Sequence, residues 1–234
     1  MSILFDLSVV VFTAILHSTF QLNVGCLLLL FKRKLTSPKT SNTSLAGSFI
    51  SAVGLLAITL LMAFCFLLNN LFGQNIPTYF TLIEIGILFG LSLATLFVYY
   101  KKNGTELWLP RPIANFISDR AVKTNNSTEA FSLGLISLIG ELPFTFILFV
   151  LASGSINTIA PEWQLLAITL YSIIVIVPLF AIGSCIQSGT KTINGIQKWR
   201  EKNKPFFRFT MFLGFLVLSV YLFVFQIMPL LVET

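Results

Sequence analysis

Charge is what this chain lacks. Only 10% of its 234 residues are Asp, Glu, Lys or Arg, against roughly 25% in soluble domains. With 56% hydrophobic residues and a mean hydropathy of +0.89, it has too little polar surface to face water. That excludes a soluble globular domain and implies an all-α, polytopic membrane protein. Histidine is nearly missing, with His17 alone, and the three cysteines, Cys26, Cys65 and Cys185, form no C-x-x-C pair. Such counts give no basis for a metal centre or a disulfide framework, so no metal and no cofactor is expected. H-E-x-x-H and G-x-S-x-G motifs are also absent, which speaks against an enzyme. The opening MSILFD has no basic n-region and its apolar run is too long for a cleaved signal peptide, so the first helix is read as retained.

What is present is a series of apolar runs long enough to cross a hydrocarbon core of ~30 Å. They predict six transmembrane helices, at about 5–31, 45–72, 78–100, 129–153, 162–189 and 206–230. The net charge of +6 invites a nucleic-acid reading, but the placement of the charges rejects it. All fifteen Lys and Arg fall in three connections: one to two, three to four, and five to six, with Arg208 just inside helix six. By the positive-inside rule these loops are cytoplasmic and both termini lie outside. The four N-x-[ST] patterns, at Asn42, Asn103, Asn125 and Asn126, then sit on the inner side and are incidental. The partners implied are a lipid bilayer, a small-molecule or ion substrate and a second copy of the chain as a homo-oligomer. No nucleic acid is expected. Localisation is read as multi-pass in a cell membrane, of bacterial plasma-membrane type.

The helices carry few polar groups, and these become the candidates. In helix four, Glu141 is the only ionisable side chain from Phe131 to Ala152, and Pro143 follows two residues on. A carboxylate at the bilayer centre costs about 2.5–3.5 kcal/mol by insertion scales. Proline cannot donate its N–H and collides with the carbonyl four residues back, so the helix is expected to bend or open before Pro143. Helix one has a polar middle of His17, Ser18, Thr19, Gln21 and Asn23, with His17 and Gln21 on one face. Pro178 marks a second break, in helix five. Glu84, one and a half turns from the outer end of helix three, is expected to reach the interface. Gly47 with Gly54, and Gly86 with Gly90, read as close-packing faces. Residues 101–128 form a cytoplasmic amphipathic loop whose Ile113, Phe116 and Ile117 lie on the membrane surface. Helix six, plain apart from Gly214 and Tyr221, reads as lipid- or scaffold-facing.

Ile15–Gln21 can be laid against Ile139–Thr145, setting His17 against Glu141 and Phe20 against Phe144. Each stretch lies in the first helix of a three-helix half, 5–100 and 129–234, within a single membrane domain spanning 1–234. Three helices per half makes the repeat inverted, an architecture whose substrate site lies at the midplane between interrupted helices. The stretches AFSLGLISLIGELPFTFILFVLAS, VPLFAIGSCIQSG and KTINGIQKWREKNKPFFRFTMFLGFLVLSVYLF resemble the second half of the lysine-exporter superfamily, which includes amino-acid and metal exporters and the thiol–disulfide electron carriers of cytochrome biogenesis. The electron carriers place a cysteine beside the proline in each half, whereas here Phe144 follows Pro143. The amino-acid exporters break helix one at a P-G-P-like motif, whereas here that position reads HSTFQL.

The leading expectation is a secondary transporter exporting a small polar or cationic solute. Its midplane site would comprise His17, Ser18, Gln21, Glu141, Pro143 and Pro178. The alternatives are a non-transporting membrane scaffold or accessory subunit, in which Glu141 and His17 form a buried structural pair, and a thiol–disulfide electron carrier, which the cysteine placement disfavours.

Overall fold

The computed structural model describes residues 3–20, 22–33, 42–73, 76–97 and 111–232. Among them there is no strand. The helices are α1 (Ile3–Ser18), α2 (Leu22–Arg33), α3 (Asn42–Phe72), α4 (Thr78–Phe97), α5 (Arg111–Lys123), α6 (Ser127–Thr158), α7 (Pro161–Gln187), α8 (Ile193–Lys202), α9 (Lys204–Leu222) and α10 (Met228–Val232). A π-helical turn, Phe223–Ile227, joins the last two. Five spans are long and apolar enough to cross a bilayer: α3, α4, α6, α7 and the α9–α10 unit. The pair α1–α2, whose axes differ by 43°, makes a sixth if taken as one broken span. The chain is a multi-pass helical membrane protein.

Local chemistry sets the helix ends. Asn126 caps α6 by accepting the Glu129 N–H at 2.8 Å, and the Glu129 carboxylate accepts the N–H of Asn125, the residue before the cap. Thr192 caps α8 through the Gly195 N–H. Pro161 and Pro205 open α7 and α9, where a missing N–H is harmless. Beyond α3 and α7 the chain turns through Gly73 and Gly189 at φ of 64° and 71°, which favour glycine.

Helix α6 is the axis of the bundle. Its most apolar window is 56% buried, against 28–33% for the other four spans. It packs on α3, α1 and α2, while α4 pairs with α9. At the α3 crossing a Cβ on Gly134 would lie 2.6 Å from the Phe49 carbonyl oxygen, so only glycine permits this approach. Lipid supplies no hydrophobic drive between helices, and hydroxyl-to-carbonyl bonds help hold them. Ser153 Oγ donates to Leu61 O at 3.3 Å, Ser92 Oγ to Phe212 O at 3.1 Å and Ser219 Oγ to Ile85 O at 3.2 Å. Large apolar side chains such as Phe66, Phe97 and Phe180 point outward, as a lipid-facing surface requires.

Several expectations are corrected here. Pro143 does not break its helix: α6 runs unbroken from Ser127 to Thr158, with Pro143 exposed on its outer side. A proline removes one hydrogen bond, and the ladder resumes on either side of it. Pro178 likewise lies inside the continuous α7. The glycine pair of α4 is not a seam within the chain, since a Cβ on Gly86 or Gly90 would meet nothing within 4 Å. Gly47 is equally free, and only Gly54 of that pair meets a neighbour, Ile176. The last helix is not purely lipid-facing. Met211, Phe215, Leu218, Ser219 and Leu222 are buried, and a Cβ on Gly214 would strike Leu16 of α1.

Candidate functional site

The break in the bundle lies in helix one, where there is no proline. Thr19 N–H and Phe20 N–H reach back only three residues, to Leu16 O and His17 O, each at 3.1 Å. The Ser18 and Thr19 hydroxyls donate to Ile15 O and Leu16 O at 2.7 and 2.6 Å. Hydroxyls bonded to nearby carbonyls offer the backbone an alternative to the helical ladder. The chain therefore leaves the helix at Thr19 and re-enters it at Leu22, deep within the bundle.

A new helix start exposes N–H groups with no intrahelical acceptor. Glu141 answers them from α6. Its Oε1 accepts the Leu22 N–H at 2.9 Å and the Asn23 N–H at 3.1 Å, and its Oε2 accepts Asn23 Nδ2 at 2.6 Å. Asn23 Oδ1 in turn accepts from Ser137 Oγ, one turn before Glu141 on α6. The carboxylate thus sits at the positive end of the α2 dipole as an interhelical cap. These bonds and the helix dipole compensate a buried charge.

His17 lies on the other side of the carboxylate. Its Nε2 is 3.9 Å from Glu141 Oε2, beyond hydrogen-bond range, and has no hydrogen-bond partner. Its Nδ1 is 2.9 Å from the Tyr171 hydroxyl, and its ring meets Phe149 edge-on with centroids 5.1 Å apart. His17, Glu141 and Tyr171 are 1%, 3% and 0% exposed, so all three are sealed from lipid.

Of the sequence candidates, His17 and Glu141 are therefore brought together. Ser18 is half-buried and bonded within its own helix, away from this cluster. Gln21 lies outside the described residues. Pro143 and Pro178 contribute no opening. Glu84, expected at the interface, is 6% exposed and buried in the bundle. Sequence reasoning named Asn23 in the polar middle of helix one but not as a holder of Glu141, and it did not single out Ser137 or the Leu22 backbone. Nor did it single out Tyr171, although a tyrosine at mid-span needs a partner for its hydroxyl. All three cysteines are free thiols: Cys26 is buried, and Cys65 Sγ lies 3.8 Å from Ser153 O. Among the described residues no group of three or more His, Cys, Asp and Glu could hold a metal ion. Compared with protein-family models, curated proteins and solved structures, the chain matches none.

Proposed function

We propose that the chain is a secondary transporter that exports a small polar or cationic solute, with Glu141 as the charge-bearing group and His17 its neighbour. The observation that carries this reading is the mid-bundle break between α1 and α2, with a buried carboxylate on the N-terminal N–H groups of the second segment. Broken helices whose ends meet charged groups at the midplane are the working parts of many secondary transporters. Here the helix terminus is occupied by the protein's own carboxylate, so a solute cation or proton competes with α2 for Glu141. Neutralising Glu141 weakens its bonds to Leu22 and Asn23 and releases the start of α2.

The inverted repeat belongs to this proposal and draws support from the packing. Exchange α1–α2 with α6, α3 with α7, and α4 with α9. The contacts α1–α6, α3–α7 and α4–α9 map onto themselves, and α3–α6 maps onto α1–α7. The orientation, with both termini and the α6–α7 turn outside, rests on the basic connections. The resemblance to the lysine-exporter superfamily points the same way.

A second reading has its own support. Glu141 is so fully hydrogen-bonded that it could serve as a structural cap in a scaffold or accessory subunit. Flux separates the two. In proteoliposomes carrying a pH-sensitive dye and screened over amino acids and cations, the wild type should move at least one solute. Glu141→Gln should abolish that flux while still inserting and folding. Unaltered flux in Glu141→Gln, or no flux of any solute, sinks the transport reading.

A further inference from the structure

We propose that the end of the bundle where α1 and α4 begin holds a second site, a pocket that binds a small organic cation bearing a primary ammonium group. It lies apart from Glu141, and the argument does not use the transport reading.

A cavity of about 270 Å³ opens between the starts of α1 and α4, the end of α6 and the π-helical turn. Two carboxylates line it, Asp6 of α1 at 3% exposure and Glu84 of α4 at 6%. The Thr158 hydroxyl, which donates to Ser155 O at 2.7 Å, and the chain's N-terminal ammonium both favour the Asp6 carboxylate electrostatically. Glu84 has no such support: among the described residues nothing hydrogen-bonds its carboxyl group, and Oε1 is enclosed without a partner. An uncompensated carboxylate is disfavoured in such surroundings. No described Lys or Arg relieves it. Every described Lys and Arg lies at the opposite end of the spans, on α2, α5, α8, the first turns of α9 or the turn before α8. A ligand ammonium would supply the positive charge that Glu84 lacks among its neighbours.

The remaining lining says what kind of cation. Thr81, Ser155 and Gln226 add neutral oxygen acceptors around the carboxylates, the arrangement an N–H₃⁺ group satisfies. Gln226 is carried on the π-helical turn, a distortion frequent at functional sites. Leu151, Leu222, Ile227 and Leu230 supply apolar wall for a methylene stem. A bare metal ion fits less well. Calcium takes six to eight oxygen ligands in a close shell, whereas this space is several times the ~30 Å³ share of one water.

The test is equilibrium binding of radiolabelled putrescine to the full chain in nanodiscs. Saturable binding is expected, displaced by n-butylamine but not by n-butanol, and less readily by calcium than by n-butylamine. Glu84→Gln and Asp6→Asn should each weaken it at least tenfold. Glu162→Gln, an exposed carboxylate at the same end but outside the cavity, should not. If Glu84→Gln fails to insert, Asp6→Asn decides alone. No saturable binding at millimolar putrescine, full binding in the carboxylate variants, or displacement by calcium at lower concentration than by n-butylamine would each overturn the proposal. Because no flux is measured, the result is independent of whether the protein transports.

Discussion

Removing the carboxylate of Glu141 should unfasten helix one, and the size of the effect follows from its partners. Three hydrogen bonds end on it, two of them from backbone N–H groups that have no other acceptor. A buried donor left unsatisfied costs about 1–3 kcal/mol, so Glu141→Ala should destabilise by about 3–6 kcal/mol. For a chain of this length each kcal/mol moves the melting temperature by about 2–4 °C, which places the loss at about 6–24 °C. Glu141→Gln is gentler. It keeps an oxygen for the two N–H groups but turns an NH₂ toward Asn23 Nδ2, setting donor against donor at a 2.6 Å contact. That should cost about 1–3 kcal/mol. Adding Asn23→Asp restores the pairing with donor and acceptor exchanged, and the Ser137 hydroxyl can still donate to residue 23. Thermal unfolding of wild type, both single variants and the double variant completes a double-mutant cycle. A coupling of at least about 1 kcal/mol is expected, with at least half of the Glu141→Gln loss recovered. A coupling near zero, or Glu141→Ala melting within about 2 °C of wild type, would show that Glu141 does not hold α2.

Other expectations follow from single contacts. Gly134→Ala should cost about 1–3 kcal/mol by forcing α3 off α6, whereas Gly47→Ala, with open space around it, should melt as wild type does. Tyr171→Phe removes the hydroxyl beside His17 Nδ1 and should lower stability by about 1 kcal/mol, while a loss above about 3 kcal/mol would mean that Tyr171 does more than pair with His17. Replacing Cys65 and Cys185 with Ala should leave folding and any flux largely unchanged, since neither thiol has a disulfide partner; activity lost in the pair and regained with one cysteine restored would revive the electron-carrier alternative. Cysteines introduced at Ala160 and Lys191, exposed at opposite ends of α7, should take an impermeant maleimide from outside and inside respectively, and the reverse pattern would invert the topology.

The spans were legible because lipid thickness dictates run length, and no other feature of an amino-acid sequence produces apolar runs of that size. The broken helix was not. Its signal is two hydroxyl side chains, Ser18 and Thr19, bonded to nearby carbonyls, far weaker than the proline that drew attention to α6. Pro143 misled because it frees only one carbonyl and sits on the outer side of an otherwise well-packed helix. Glu84 misled for a different reason. Its position along α4 is readable from sequence, but whether it faces lipid or the bundle depends on helix rotation, which packing against α9 sets. The glycines divide likewise: Gly134 at the tightest crossing carries no motif, while the Gly86–Gly90 pair meets nothing within the chain.

The two carboxylate sites share the same two helices. Asp6 and His17 lie on α1, eleven residues and hence about 16 Å apart, and Glu141 and Ser155 lie on α6. Between the sites the bundle is closely packed: Val10, Ala14, Leu148 and Phe149 are each 0% exposed, and Phe149 packs against both His17 and Tyr171. Packed side chains thus separate the Asp6–Glu84 pocket from Glu141. On the transport reading, Phe149 and its neighbours are the closed barrier, and the helix able to move it is α1, which ends at the break before α2. Glu141 holds the far side of that break through Leu22 and Asn23. The group that would sense the solute is thus the group that fastens the hinge, and withdrawing its charge would loosen α2 at the point where α1 is free to swing. A scaffold would need the same cap but gains nothing from a helix interrupted beside its only histidine, because an unbroken helix one would satisfy its own N–H groups.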